Sequence, residues 1–460
     1  MLNIPRFTKK NSMEDTKAFL SRMGNPDREL KILHVAGTNG KGSVCAYLRY
    51  VLEEAGYSVC AFTSPHLVDV RERFLIRGEM VSKEEFLRAF LVIYDMIPWE
   101  ELVKEDAFNE EGKLPEGFYH PTFFEYLFFM AMILFRDAKP DYCILETGLG
   151  GRLDATNSVE KKELSIITRI SLDHMDYLGD TVEKIAGEKA GIIAAGTPVI
   201  YLDDKKNISA VFVERAKELG AKACPLSKND YAFVKFQNKN IDFSLHTRYY
   251  KDISVILHTA ALYQMENAAL AVRALEELDE GRTIKDRHVI AGLGKCFWPG
   301  RMEEIIPDVY VDGAHNEDGV RAFLESVSAD GWQGERILLF SAVKDKQFEK
   351  MLREIVSSQL FTKVCLTHVD SGRATATEVL EKVTTRLLGE IYAGEEERRL
   401  ETRTYENVSQ ALADLLEKKQ ERHRIYIAGS LYLVGEVKAS LGVLKDDQFR
   451  RRTEEISSQH

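Results

Sequence analysis

At 460 residues the chain is too long for one ordinary hydrophobic core, so two or three domains are expected. Its 45% hydrophobic and 29% charged residues are those of a soluble globular protein and exclude disordered and fibrous classes. With 62 basic against 73 acidic residues, a net charge of −11, a general nucleic-acid or anionic-membrane surface is excluded, although a local basic pocket is not.

Met1 to Lys10 mixes basic and polar residues and lacks the apolar run of a signal peptide, so a cytoplasmic location is expected. From Leu30 onward short β-type runs alternate with helical segments, the pattern of a parallel sheet covered by helices. Strands are predicted at Lys31–Val35, Val59–Phe62, Tyr142–Glu146, Ser165–Ile167 and Pro198–Ile200. Between the first two, Val44, Tyr47, Leu48, Val51 and Leu52 recur at helical spacing over Gly42–Ala55. Pro98–Gly117, rich in acidic residues and turn formers, reads as a surface insertion. The most apolar stretch, Phe123–Phe135, is too short to span a bilayer and holds Glu125, so a buried helix is predicted. Tyr231–Leu257 alternates in short runs, which predicts antiparallel hairpins at the side of the first domain. Helices follow at Met265–Leu278 and Ile284–Gly292.

Pro299 and Gly300 break the helical pattern, and a new βα series begins with strands at Val309–Val311, Arg336–Phe340, Lys363–Leu366 and Arg424–Ala428. The domains are therefore placed at residues 1–297 and 298–445, with 446–460 read as a frayed charged tail. The six cysteines (Cys45, Cys60, Cys143, Cys224, Cys296, Cys365) form no C-x-x-C pair, so reduced thiols are expected.

The run His34–Ser43 lies between a strand and a helix, where backbone N–H groups and the helix dipole point at an anion. Gly37, Gly40 and Gly42 let the backbone approach phosphate oxygens. Lys41 supplies a charge for the β- and γ-phosphates, and Ser43 a hydroxyl beside a metal. The glycine spacing is shorter than in G-x-x-x-x-G-K-[ST], and Gly42 separates the lysine from the serine. Glu146 ends a strand beside this loop, the expected position of a metal ligand. By residue type alone, His174 reads as a core or acid–base residue, Lys189 as a solvated helix lysine and Arg301 as an exposed linker charge. His315 reads as a loop histidine and Ser430 as a helix N-cap.

Gly37-Thr-Asn-Gly-Lys-Gly-Ser43 resembles the nucleotide loop of the folylpolyglutamate synthase/dihydrofolate synthase family, which is related to the Mur cell-wall ligases. Further motifs of that family follow in its order: Thr63-Ser-Pro-His-Leu67, Glu146-Thr-Gly-Leu-Gly-Gly-Arg-Leu-Asp-Ala-Thr-Asn157, Leu172-Asp-His-Met-Asp-Tyr-Leu-Gly179, Glu188-Lys-Ala-Gly-Ile192, Trp298-Pro-Gly-Arg301, Asp312-Gly-Ala-His-Asn316 and Gly429-Ser-Leu-Tyr432. Mur ligases typically carry an additional N-terminal substrate domain, for which the about thirty residues before the first strand leave no room.

The resemblance implies an α/β fold: a P-loop-type, mostly parallel ATPase domain with a small antiparallel subsheet, and a smaller Rossmann-like C-terminal domain. It implies ATP-dependent addition of L-glutamate to a reduced folate through an acyl phosphate, giving ADP and phosphate, with Mg²⁺ as cofactor. By the same resemblance Gly37, Thr38, Asn39, Gly40, Lys41, Gly42, Ser43, Asn267, Arg301 and Asp312 contact ATP, and Ser64, Glu146 and His174 hold Mg²⁺. The resemblance further implies that Lys189 is carbamylated and joins Asp312 and His315 in the catalytic set. His315 and Ser430 hold glutamate, while Thr122, Phe123, Phe124, Glu125, Leu153, Asp154 and Ala155 line the folate site. Phe123, Phe124 and Tyr126 also suit a helix core. ATP would bridge the domains, with a hinge near Trp298–Arg301.

Within the family, Met23-Gly-Asn-Pro26 looks like the branch that only extends folates, whereas Ser64-Pro-His-Leu67 and Gly151–Asn157 take the form common in bifunctional members that also accept dihydropteroate. A monomer with no nucleic-acid or membrane partner is expected. A P-loop ATPase or nucleotide-gated binding protein is the alternative from a different class.

Overall fold

The computed structural model describes residues 11–99, 119–279, 282–392 and 400–442. All but the first two residues of the predicted insertion, and the whole predicted tail, lie outside these.

Eight strands form the first sheet: β1 (Ile32–Ala36), β2 (Val59–Phe62), β3 (Phe74–Ile76), β4 (Glu79–Met80), β5 (Tyr142–Glu146), β6 (Leu164–Ile167), β7 (Val199–Asp203) and β8 (Ala223–Ser227), in the order β4-β3-β2-β5-β1-β6-β7-β8. All pairs from β2 to β8 across this order are parallel, and β3 and β4 add an antiparallel edge. Helices cover both faces, which is why the central strands read as continuous apolar runs. Alternate residues feed two cores. Leu33, Val35 and Ile144 join the core under helix Lys41–Glu54, whereas Ile32, Cys143 and Leu145 join the core under helix Phe123–Ala138.

Strands β9 (Tyr231–Gln237), β10 (Asn240–Thr247) and β11 (Lys251–Leu257) form the predicted antiparallel sheet. Their Ile241, Phe243, Leu245, Val255 and Leu257 enter the same core as helix Lys41–Glu54 and helix Gln264–Asp279. The third sheet holds β12 (Glu303–Ile306), β13 (Val309–Val311), β14 (Glu335–Phe340), β15 (Lys363–Leu366), β16 (Glu401–Thr404) and β17 (His423–Ala428), in the order β12-β13-β17-β14-β15-β16. It is parallel except for β12 and builds cores of its own.

Every predicted strand is present, within one residue at its start. The unpredicted ones are short or edge elements: β8 carries Pro225, tolerated only at an edge, and β16 is Glu-Thr-Arg-Thr with no apolar residue. All six cysteines are free thiols. Among the described residues no helix is long and apolar enough to cross a membrane.

Because β1, β2, β5 and β6 run parallel, the loops that follow them emerge at one edge, where ligands of such sheets bind. The loops after β13, β14 and β17 emerge together in the same way from the third sheet. The two loop sets meet. Leu67, after β2, packs into the core that holds Val434 and Val437, and Asn39 bonds to Asn316.

Candidate active site

Gly40 is the N-cap of helix Lys41–Glu54 at φ 91°, a conformation suited to glycine, and a Cβ there would lie 2.3 Å from Asn267 Oδ1. A Cβ on Gly42 would lie 2.7 Å from Trp298 Cζ2, so the linker tryptophan rests against the phosphate loop. The N–H groups of Thr38 and Asn39 donate to the Arg169 carbonyl, at 2.9 and 3.3 Å. These two residues thus brace the loop, and the first N–H groups of the helix have no intrahelical partner. Lys41 Nζ curls back over the loop, 3.2 Å from both Gly37 O and Thr38 O.

Of the residues predicted to hold a metal, Glu146 and His174 both feel the charge of Lys41, and Ser64 meets Glu146 through its backbone. Glu146 at the end of β5 is buried, and its Oε2 accepts from the Ser64 N–H at 2.9 Å. Burial pushes its carboxyl up, opposed by Lys41, the Ser64 amide, Arg301 and Arg73. His174 sits at φ 49° ahead of the short helix Met175–Leu178, and burial, then Lys346, pushes it down to about 4. Lys41 also acts on His174 and on the buried Lys189, whose amine burial and then Lys41 bring down to about 7. Lys189 Nζ donates to Gly37 O at 2.6 Å.

Among the described residues no group of three or more His, Cys, Asp and Glu could hold a metal ion. One buried carboxylate, one neutral imidazole and a serine do not make a cage of their own. They fit Mg²⁺ held partly by phosphate oxygens and water, as that ion usually is.

From the third sheet, Asp312 after β13 is buried and accepts from Tyr263 OH at 2.5 Å, Met302 N at 2.9 Å and Ala314 N at 2.8 Å. Burial raises its carboxyl, opposed first by the Arg301 guanidinium, which acts on both Asp312 and Glu146. His315 holds Gly313 O at 2.7 Å through Nδ1, and burial, then Lys346, pushes it down to about 3, which leaves a neutral ring. Ser430 Oγ accepts from Tyr432 N at 3.1 Å as the N-cap of helix Leu431–Ser440.

Two of the predicted folate residues, Phe124 and Asp154, meet at Gly148, in the loop after β5. Thr122 caps helix Phe123–Ala138, and Glu125 closes the capping box while also accepting from Asn11 Nδ2 and Thr16 Oγ1. Phe124 lies over Gly148, where a Cβ would be 2.6 Å from its Cζ, and Phe123 lies under the Arg73 guanidinium at 5.8 Å. Tyr126 is core. Leu153 is 44% exposed, while Asp154 is buried and its Oδ2 accepts from the N–H groups of Gly148 and Leu149, each at 2.9 Å. Ala155, also buried, starts the short helix Ala155–Ser158.

Sequence reasoning missed Asp173, Lys346, Tyr263 and Gln264. Lys346 Nζ lies 3.3 Å from His174 Nε2. Asp173 stands inside a motif already noted; the other three carry no pattern, since they meet their partners only through tertiary contact.

Two family profiles match the chain: the Mur ligase middle domain over residues 119–275, and the Mur ligase, glutamate ligase domain, over residues 300–431. The chain is 32% identical over 448 residues to the dihydrofolate synthase/folylpolyglutamate synthase of Bacillus subtilis (strain 168), covering 95% of this chain and 96% of that protein. The chain belongs to the folylpolyglutamate synthase/dihydrofolate synthase family. Solved members of the family superpose over nearly the whole length. The folylpolyglutamate synthase of Mycobacterium tuberculosis complexed with ADP gives a TM-score of 0.80 at 27% identity, covering 94% of this chain and 95% of that one. E. coli FolC in complex with DHPP and ADP gives 0.79 at 25% identity, covering 96% and 95%.

Proposed function

We propose that the chain is a folylpolyglutamate synthase that uses ATP to join the carboxylate of a reduced folate to the amine of L-glutamate. The observation that carries the reading is the junction where the phosphate loop meets the third sheet: Asn267 lies against Gly40, Asn39 bonds to Asn316 beside His315, and Arg301 lies against Gly313 beside Asp312.

A carboxylate and an amine do not condense in water, because oxide is a poor leaving group and the amine is protonated. The folate carboxylate attacks the γ-phosphorus of ATP, ADP leaves, and the acyl phosphate is attacked by the neutral amine of glutamate, which expels phosphate. Positioning three anionic substrates is then most of the catalytic task. Lys41 and the first N–H groups of helix Lys41–Glu54 hold the β- and γ-phosphates. Asn267, Arg301 and Asp312 complete the nucleotide contacts, so ATP bridges the parts before and after residue 298, the boundary we propose between domains. Ser64, Glu146 and His174 would hold Mg²⁺, which when bound neutralises charge on the phosphoryl oxygens. Lys189 is held near neutrality by burial, the state in which an amine takes up CO₂ to become an anionic carbamate. The neutral His315, with Ser430, holds the incoming glutamate. Phe123 and Phe124 offer flat faces to the folate beside Leu153, Asp154 and Ala155. A monomer in the cytoplasm completes the reading.

A second activity on dihydropteroate is favoured by the Bacillus subtilis relative, whose name carries both synthases. ADP release measured with purified protein and MgATP tests the ligase reading. It is expected to require both a reduced folate and glutamate; release indifferent to either would identify a nucleotide hydrolase instead.

A further inference from the structure

Two adjacent residues at the start of helix Gln264–Asp279 fasten the phosphate loop on one side and the third sheet on the other. Gln264 is 3% exposed, and its carboxamide is bonded at both ends: Nε2 donates to Ser43 Oγ at 3.1 Å, and Oε1 accepts from Asn267 Nδ2 at 3.0 Å. With its amide nitrogen committed to Gln264, Asn267 turns Oδ1 toward Gly40, where it occupies the space that a Cβ would need. Tyr263, one residue earlier, donates its phenol to Asp312 Oδ2 at 2.5 Å. The other named donors to that carboxylate, Met302 N and Ala314 N, belong to the linker and to Asp312's own loop, so the phenol is the contact that ties it to the first sheet's side of the junction.

We infer that Tyr263 and Gln264 are a two-sided positioning element for the nucleotide, with Gln264 setting Ser43 and Asn267 while Tyr263 sets Asp312. This rests on the proposed reading of the junction as an ATP site. Neither residue touches the reacting atoms. They act because consecutive positions on one rigid helix start fix the distance between nucleotide contacts supplied by separate sheets. A placement error of a fraction of an ångström is costly where several groups must meet one polyphosphate.

The test uses the full chain with Tyr263→Phe and Gln264→Met, two nearly isosteric changes. Calorimetric titration with MgADP is expected to show affinity weakened about tenfold in each variant, the usual effect of losing a hydrogen bond to a charged or buried polar group. The KM for ATP is expected to rise by a similar factor, while the KM values for folate and glutamate stay within about twofold of wild type. A purely structural role would instead move all three KM values together, which would overturn the inference. So would MgADP affinity within about twofold of wild type in both variants. Because MgADP binding is measured without folate or glutamate, a wild-type protein that binds it yet forms no glutamyl product counts against the proposed function and leaves the positioning element standing.

Discussion

Lys346 Nζ lies 2.5 Å from Asp173 Oδ1, joining the loop after β14 to the loop after β6. Both side chains are largely buried, and although burial opposes it, Lys346 and then His315 hold the Asp173 carboxyl well below the usual range. Asn316 Nδ2 donates to the other oxygen at 3.1 Å, so this carboxylate gathers groups from the third sheet around His174. Removing one partner of a buried pair strands the other charge. Lys346→Met is therefore expected to destabilise the protein by about 3 kcal/mol or more and to lower kcat at least about tenfold. Urea unfolding and steady-state ADP release check the two parts. In Lys346→Met/Asp173→Asn the stability loss should be smaller than the sum of the single losses.

Gly40→Ala should weaken nucleotide binding severely without unfolding the chain. The backbone there is at φ 91°, and the added Cβ would stand 2.3 Å from Asn267 Oδ1, so both the loop and a nucleotide contact must shift. MgADP affinity is expected to fall at least about a hundredfold, or roughly 2.7 kcal/mol. Calorimetry reads this, with the far-ultraviolet circular dichroism unchanged.

Lys189 gives stability a pH dependence of definite sign. Its folded-state value of about 7 lies below that of an exposed lysine. Between pH 7 and roughly 10 the unfolded chain holds a proton that the folded chain does not, so stability rises with pH across that window and the dependence ends below it. Lys162, also buried and brought to about 7, adds a slope of the same sign. In CO₂-depleted buffer, Lys189→Met should thus lose part of the rise in urea midpoint between pH 7 and 9 rather than all of it. Activity should be almost absent in Lys189→Ala, and wild-type activity should recover when bicarbonate is restored.

The parallel strands were readable because burial on both faces leaves continuous apolar runs such as Tyr142–Glu146, and the phosphate loop because its glycines and lysine form a contiguous pattern. Glu146 could be placed because a strand end fixes where its side chain emerges. His174 and Lys189 could not be given roles from residue type: one becomes neutral and the other nearly so only through burial against groups distant in sequence. Lys346 and Tyr263 were silent for the same reason, being defined by partners at Asp173 and Asp312. β16 escaped notice because an exposed edge strand needs no apolar alternation.

Dihydropteroate separates the two activities of the family. With glutamate and MgATP, the purified protein is expected to extend a reduced folate faster than it converts dihydropteroate. Comparing kcat/KM for the two substrates is the check, and robust product formation from dihydropteroate would make the protein bifunctional.

The most direct measurement of the central claim is mass spectrometry of the folate product after incubation with tetrahydrofolate, glutamate and MgATP. The account predicts a product heavier by one glutamyl residue, formed in step with ADP release and missing from Lys41→Ala. Continued ADP release with the folate unchanged in mass would contradict it.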